Sequence, residues 1–177
     1  MSRTTLALDE LLTNLTAQQV REIRADAPVA VLDQADAAAD DARRITRTAI
    51  RAVSPDHLDE RLLPPAAVAG WLRLGALDAL RMFVDGAART CLHNPSPTRF
   101  EPIFAAAWKP GLVVCQQCTL LFKAHGEADR RCDGCGHVCA GPGHGDGIRA
   151  TNLCVGALTY TAGVCVDCYV SKQEDAR

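Results

Sequence analysis

Eight of the nine cysteines lie between residues 115 and 168, and six of them form C-x2-C pairs. The pairs are Cys115 with Cys118, Cys132 with Cys135, and Cys165 with Cys168. Two cysteines three residues apart, bent by a tight turn, present both sulfurs to one metal ion at about 2.3 Å. An odd cysteine count in a sequence that starts without a recognisable export signal argues against disulfides. The pattern therefore predicts reduced thiolates that bind zinc.

The eight cysteines divide in chain order into two sets of four, which predicts two structural Zn²⁺ ions. Site 1 comprises Cys115, Cys118, Cys132 and Cys135, and site 2 comprises Cys139, Cys154, Cys165 and Cys168. Three alternatives stay open. The first and third ligand pairs can share one ion in a cross-braced arrangement. His137 or His144 can replace Cys139 or Cys154 as a ligand, and those two cysteines can simply be small buried apolar residues.

One of the pairs carries glycines that suit a metal-binding turn. Cys132-Asp133-Gly134-Cys135-Gly136 has the pattern C-x-x-C-G, in which glycine supplies the positive φ that the turn favours. On these residues, the segment from about 112 to 137 resembles the zinc-ribbon superfamily. The resemblance implies a metal site and leaves the function open. The preceding turn, Cys115-Gln116-Gln117-Cys118-Thr119, departs from the pattern because it lacks glycine.

The upstream half has the apolar spacing of helices. Helix signals cover residues 4–15, a short segment after a capping box at Thr16–Gln19, and residues 28–53 after Pro28. Residues 66–91 are apolar around most of the circumference, which predicts a buried central helix. We therefore expect an α+β protein. In it, an N-terminal α-helical bundle, with residues 28–53 against residues 66–91, precedes a small zinc-stabilised, zinc-ribbon-like β-rich domain.

The composition changes along the chain predict the domain boundaries. We expect a helical domain over residues 1–93 and an aromatic- and proline-rich connector over 94–111. A double zinc-binding domain follows over 112–170, and a flexible tail over 171–177.

Several motifs that suggest catalysis are better explained otherwise. Cys91 and His93 are two residues apart, and on a helix such residues do not face each other. Cys91 is then the buried end of the central helix. His125-x-Glu127 before Cys132-x2-Cys135 is similar to a deaminase signature, but the gap is too short and every sulfur is in use. The glycine-rich stretch 141–147 predicts a flexible hairpin turn.

Charge and closed coordination together favour a binding protein over an enzyme. The formal net charge is −2, without the basic excess typical of nucleic-acid binders. Within residues 112–170, Arg130, Arg131 and Arg149 are the only arginines and thus the only local candidates for binding nucleic acid. We expect a non-enzymatic cytoplasmic adaptor that binds another protein and no membrane. A zinc-ribbon nucleic-acid-binding or transcription-associated regulator is the first alternative. A thiol-based redox sensor or enzyme using Cys91 is the second.

Overall fold

A computed structural model describes residues 2–53, 64–141 and 145–169. The helices are α1 (Arg3–Asn14), α2 (Ala17–Ala25), α3 (Val29–Val53) and α4 (Gly70–Val84). The strands are β1 (Arg89–Thr90), β2 (Ile103–Ala106), β3 (Leu112–Cys115), β4 (Arg149–Val155) and β5 (Leu158–Val164). Short 3-10 segments lie at Pro65–Ala67, Gln116–Phe122 and Gly126–Asp129. The α+β class is confirmed, whereas the expected tail at 171–177 lies outside the described residues.

The first three helices begin where the sequence signals place them. The Ser2 side chain accepts a hydrogen bond from the Thr5 amide at the start of α1. Thr16 and Gln19 form the expected capping box of α2. α3 follows Pro28, whose carbonyl accepts the amides of Val31 and Leu32. None of the helices in the described ranges is both long and apolar enough to cross a bilayer.

The fourth helix is shorter than predicted at both ends. It begins at Gly70, after the 3-10 segment that follows Pro64, and ends at Val84. Gly86 then adopts φ +69°, the left-handed conformation that terminates helices and that glycine accepts without strain. The chain turns back and enters β1. The prediction that residues 66–91 form one helix is therefore wrong beyond Val84, and Cys91 lies in a turn after a strand.

A five-stranded mixed sheet is the centre of the molecule, in the order β1-β3-β2-β5-β4. The middle strand, β2, is antiparallel to β3 and parallel to β5, and all four of its residues are buried. This strand lies within residues 94–111, the segment interpreted from composition as a connector. Phe104 and its apolar neighbours thus form the middle of the core.

Helices cover both faces of the sheet. Because side chains alternate along a strand, Ile103 and Phe104 point to opposite faces. Ile103 packs in a cluster with α4, whereas Phe104 packs in a cluster that includes Ile45 of α3. The hydroxyls of Thr46 on α3 and Thr159 on β5 are 3.0 Å apart. The packing of α3 on the sheet replaces the expected packing of residues 28–53 against residues 66–91.

α1 is held on α4 by polar groups. Arg73 Nη2 donates to Asp9 Oδ2 at 3.0 Å, and this hydrogen-bonded pair lowers the pKa of the Asp9 carboxyl. Thr5 is fully buried and donates to Asp78 Oδ1 at 2.7 Å. These polar contacts hold α1 on α4 without burying Leu11, which is 54% exposed.

Close packing of α4 on the sheet depends on Gly75. A Cβ built at this position would lie 2.4 Å from the Tyr160 hydroxyl oxygen, and Tyr160 is buried. We expect Gly75→Ala to destabilise the protein by about 1–3 kcal/mol through overpacking, although alanine favours helix more than glycine. Denaturant unfolding of the metal-loaded protein measures the effect.

Gly70→Ala is the matched control, because a Cβ at Gly70 meets only the Arg73 side chain, at 3.9 Å. This variant should be neutral or slightly stabilising. Equal unfolding midpoints for the two variants would contradict the close contact between α4 and β5.

Candidate metal centres

The first group of potential ligands, which we call cluster A, comprises Cys91, His93, Cys115 and Cys118. The sulfurs of Cys91 and Cys115 are 3.7 Å apart. His93 Nδ1 is 3.2 Å from the Cys118 sulfur and 3.4 Å from the Cys115 sulfur. All four ligand atoms lie within 4.8 Å of one another. Cluster A therefore presents three sulfurs and one imidazole nitrogen to a common centre.

Strand pairing brings these residues together. β1 and β3 are parallel, with Thr90 opposite Val113, so Cys91 and Cys115 leave the sheet at the same end. Cys115 is the last residue of β3, and the 3-10 segment that starts at Gln116 carries Cys118. The Asn94 amide donates to the Cys91 carbonyl at 2.9 Å, closing the turn that presents His93.

Cluster B is the second group and comprises Cys132, Cys135, Cys165 and Cys168. The sulfurs of Cys135 and Cys165 are 3.8 Å apart. In the first turn, the Gly136 amide donates to the Cys132 carbonyl at 2.8 Å, and Gly136 has φ +77°. The second pair follows β5 in a helical turn. Cluster B thus offers four sulfurs from two turns.

Two hydrogen bonds join the first turn of cluster B to the end of β5. The Asp133 amide donates to the Gly163 carbonyl at 2.8 Å, and the Gly163 amide donates to Asp133 Oδ2 at 2.7 Å. Trp71 of α4 packs beside the cluster and would lie 3.4 Å from a Cβ at Gly134. Cluster B is therefore braced both by the end of β5 and by α4.

The separations in both clusters fit a four-coordinate ion. Four sulfurs at about 2.3 Å from a central ion lie about 3.8 Å apart at tetrahedral angles. A nitrogen and a sulfur in the same geometry lie about 3.5 Å apart. The measured contacts of 3.2 to 3.8 Å match these edges. Tetrahedral sets of thiolate sulfur with or without imidazole are typical of zinc.

In each cluster, hydrogen bonds from backbone amides stabilise the ionised form of one cysteine and so lower its pKa. Burial opposes ionisation of Cys91, but hydrogen bonds from the backbone of Cys115 and His93 outweigh it and lower the Cys91 pKa to about 7. Burial likewise opposes ionisation of Cys132, but backbone amides, chiefly that of Cys165, lower its pKa to about 6.

A neighbouring cysteine in each cluster, Cys118 or Cys168, has a raised pKa instead. Burial, followed by the nearby thiols of Cys91 and Cys115, raises the pKa of Cys118 to about 11. The same causes raise the pKa of Cys168, with Cys135 the first of its neighbours. Sulfurs placed this close cannot all ionise without a compensating cation. A divalent metal ion supplies that charge.

The structure groups the cysteine pairs differently from the predicted site 1 and site 2. Cys115 and Cys118 lie with Cys91 and His93, and Cys132 and Cys135 lie with Cys165 and Cys168. Sheet register explains the difference. Cys115 is level with Leu158 across β2, seven residues before Cys165. At about 3.3 Å per residue, the two clusters are roughly 20 Å apart. In chain order, all members of cluster A precede all members of cluster B, so the first and third C-x2-C pairs do not share a cross-braced site.

Cys139 and Cys154, which were expected in site 2, belong to neither cluster. Cys154 is opposite Thr159 in the β4–β5 hairpin, and its sulfur is 3.7 Å from the Thr159 hydroxyl. Cys139 is buried against Cys132 and Cys165, but its sulfur is grouped with His137 and Asp146. His144, the other substitute ligand, lies outside the described residues.

Sequence reasoning missed Cys91 and His93 as ligands. Two residues apart on a helix, as predicted for residues 66–91, their side chains would not face each other. The helix ends at Val84, and the chain forms a turn after Cys91, in which side chains two residues apart can converge. The Asn94-Pro95 dipeptide immediately afterwards is a turn signal and was the available clue.

The arginines considered for nucleic acid have contacts within the protein. Arg131 pairs with Glu127 and donates to the Gly136 carbonyl at 3.3 Å. Arg149 lies 5.3 Å from the centre of the Tyr169 ring. Arg130 is exposed and precedes the first turn of cluster B.

Comparison with known proteins adds no relative. No family model matches the chain, and neither the curated proteins nor the solved structures contain a match. The zinc-ribbon resemblance therefore stays a prediction, while the two groups of four ligands are features of the structure itself.

The grouping can be tested by counting bound zinc. We expect Cys91→Ser and His93→Ala each to remove one of two tightly bound ions, because both residues complete cluster A. Native mass spectrometry of zinc-loaded protein, after a chelator has removed weakly held metal, gives the count.

Cys154→Ser is the matched control, since it removes a thiol that no cluster uses. It should retain both ions. If Cys154→Ser lost an ion while Cys91→Ser retained both, the predicted site 1 and site 2 would be correct and clusters A and B would not.

Proposed function

We propose that this chain is a non-enzymatic, zinc-binding protein-interaction protein of the cytoplasm, with one structural Zn²⁺ in each of clusters A and B. The observation that carries the proposal is the pair of four-ligand groups, each with all ligand atoms within 4.8 Å of one another. Zinc with four protein ligands has no position for water or substrate, which is the property of a structural site. Catalytic zinc normally has three protein ligands.

The positions of the clusters support a stabilising role. Cluster A ties the end of β1 to the end of β3, and cluster B ties the end of β5 to the turn at Cys132. β1 has only two residues, and β2 and β3 have four each. Such short strands form few ladder hydrogen bonds, so metal cross-links at the sheet ends contribute directly to folding.

The helical surface supports protein binding. Seven large apolar side chains on α1, α2 and the start of α3 are exposed: Leu6, Leu8, Leu11, Val20, Ile23, Val29 and Val31. The same helices carry surface ion pairs, including Arg24 with Asp36 at 2.6 Å. Apolar residues rimmed by charges are typical of protein-interaction surfaces. We infer that a partner protein covers this surface with apolar side chains of its own.

The alternatives receive less support. Cys91 is 5% exposed as a residue and its sulfur belongs to cluster A, so a metal ion bound there would occupy the thiol. Its lowered pKa is what a metal ligand requires, as well as what a reactive thiol requires. Two of the three arginines considered for nucleic acid have partners within the chain.

Removal of metal tests the structural role. We expect a strong zinc chelator to abolish the cooperative unfolding transition, because the metal-free protein lacks the cross-links at the ends of its short strands. Circular dichroism during thermal unfolding measures this, and added zinc should restore the transition.

The control is the same chelator already saturated with zinc, which should leave the transition unchanged. A metal-free chain that unfolds at the same midpoint as the zinc-loaded chain would contradict the proposal.

The interaction surface can be tested separately. We expect the double variant Leu11→Glu/Ile23→Glu to lose at least tenfold in partner capture, because charges replace apolar contacts that are more than half exposed in the free chain. Quantitative affinity purification from the source cells compares it with the wild-type chain.

Leu120→Glu is the matched control. This residue is 82% exposed but lies in the segment Gln116–Phe122, away from α1 and α2. It should capture the same proteins as the wild type. The proposal fails if all three chains capture the same proteins, or if none is captured by the wild type.

A further inference from the structure

Outside the two four-ligand clusters, the structure brings together a third group of potential ligands. Cluster C comprises His137, Cys139 and Asp146, whose ligand atoms all lie within 4.8 Å of one another. His137 Nε2 is 3.1 Å from Asp146 Oδ2. A nitrogen and an oxygen at about 2.0 to 2.1 Å from one zinc ion are about 3.3 Å apart at tetrahedral angles. The side chains therefore converge closely enough to share an ion.

Backbone hydrogen bonds fix these residues independently of any metal. The Cys139 amide donates to the Arg130 carbonyl at 2.9 Å, next to a bridge between Arg131 and Val138. On the other side, the Gly141 amide donates to the Asp146 carbonyl at 2.8 Å. Two isolated antiparallel bridges, Arg131 with Val138 and Gly141 with Asp146, thus hold the segments that carry cluster C. All three potential ligands are among the described residues.

The Asp146 side chain is positioned by the backbone as well. The Ala140 amide donates to Asp146 Oδ2 at 2.9 Å. This bond uses one carboxylate oxygen and holds the carboxylate beside His137 and Cys139. Carboxylate, imidazole and thiolate are all zinc ligands, and together they combine an oxygen, a nitrogen and a sulfur donor.

Exposure differs between the members of cluster C. Cys139 is 1% exposed, and it packs against Cys132 and Cys165 of cluster B. The side chains of His137 and Asp146 are 54% and 36% exposed. An ion held here would be bound by the buried Cys139 sulfur on its protein side and would contact solvent beside His137 and Asp146. It would also lie beside the tetrathiolate of cluster B, whose net negative charge attracts a further cation.

We propose that His137, Cys139 and Asp146 bind a third divalent zinc ion that keeps a coordination position open to solvent. Three protein ligands and an open position distinguish this site from clusters A and B, which are closed. The ion is accordingly held less tightly and exchanges with free zinc, while the two structural ions remain. This inference goes beyond the structural role proposed above and assigns the protein an exchangeable metal site.

The test counts zinc as a function of free zinc concentration. Native mass spectrometry of the full chain should show two ions at low free zinc and a third as free zinc rises. Asp146→Asn should lose only the third ion, because an amide oxygen still accepts the Ala140 hydrogen bond but is a much weaker zinc ligand. Cys139→Ser should lose the third ion too.

Cys154→Ser is the matched control and should still bind three ions. Thermal unfolding of Asp146→Asn at low free zinc should match that of the wild type, which would show that the substitution leaves the fold and clusters A and B intact. The proposal is overturned if the wild type saturates at two ions, or if Asp146→Asn still binds the third ion as tightly. A different result would separate the two proposals. If the wild type bound no tight ions but one weak ion, and Asp146→Asn did not bind that weak ion, cluster C would be supported and the structural-zinc proposal would fail.

Discussion

The pairing of β2 with its two neighbours is the constraint on which the rest of the structure depends. β2 is antiparallel to β3 and parallel to β5, so the last residues of β3 and β5 lie at opposite ends of the sheet. Cys115 is the last residue of β3, and Cys165 immediately follows the last residue of β5. One buried strand of four residues thereby separates two groups of potential metal ligands by roughly 20 Å.

The two helical layers depend on the same sheet. α4 approaches one face closely because Gly75 leaves room for the buried Tyr160 ring, and α3 meets the other face through Ile45 and Thr46. α1 attaches to α4 mainly through the Asp9–Arg73 pair and the buried Thr5 hydroxyl. Polar docking of this kind leaves the leucines of an amphipathic helix available to another molecule.

Charge links the clusters to folding. In each one, backbone amides favour a single thiolate, at Cys91 or Cys132, while burial and neighbouring sulfurs hold protons on Cys118 and Cys168. In the proposed metal-bound state, the ion displaces those remaining protons by supplying the missing positive charge, which would couple metal binding to folding. The four-ligand clusters A and B and the three-ligand cluster C suit the different roles proposed for them, structural for the first two and exchangeable for the third.

The sequence by itself determined several local features of this α+β protein: the starts of α1, α2 and α3, and the turn of Cys132 with Cys135. Each depends on residues within one or two turns of chain, and short-range sterics and hydrogen bonds settle it. It did not determine the end of α4, the strand within residues 94–111, or the grouping of the ligands. Contacts between Cys91 and Cys115 span 24 residues, and those between Cys135 and Cys165 span 30. The tertiary fold brings such distant side chains together, because the C-x2-C spacing alone does not specify which other ligands a pair will meet.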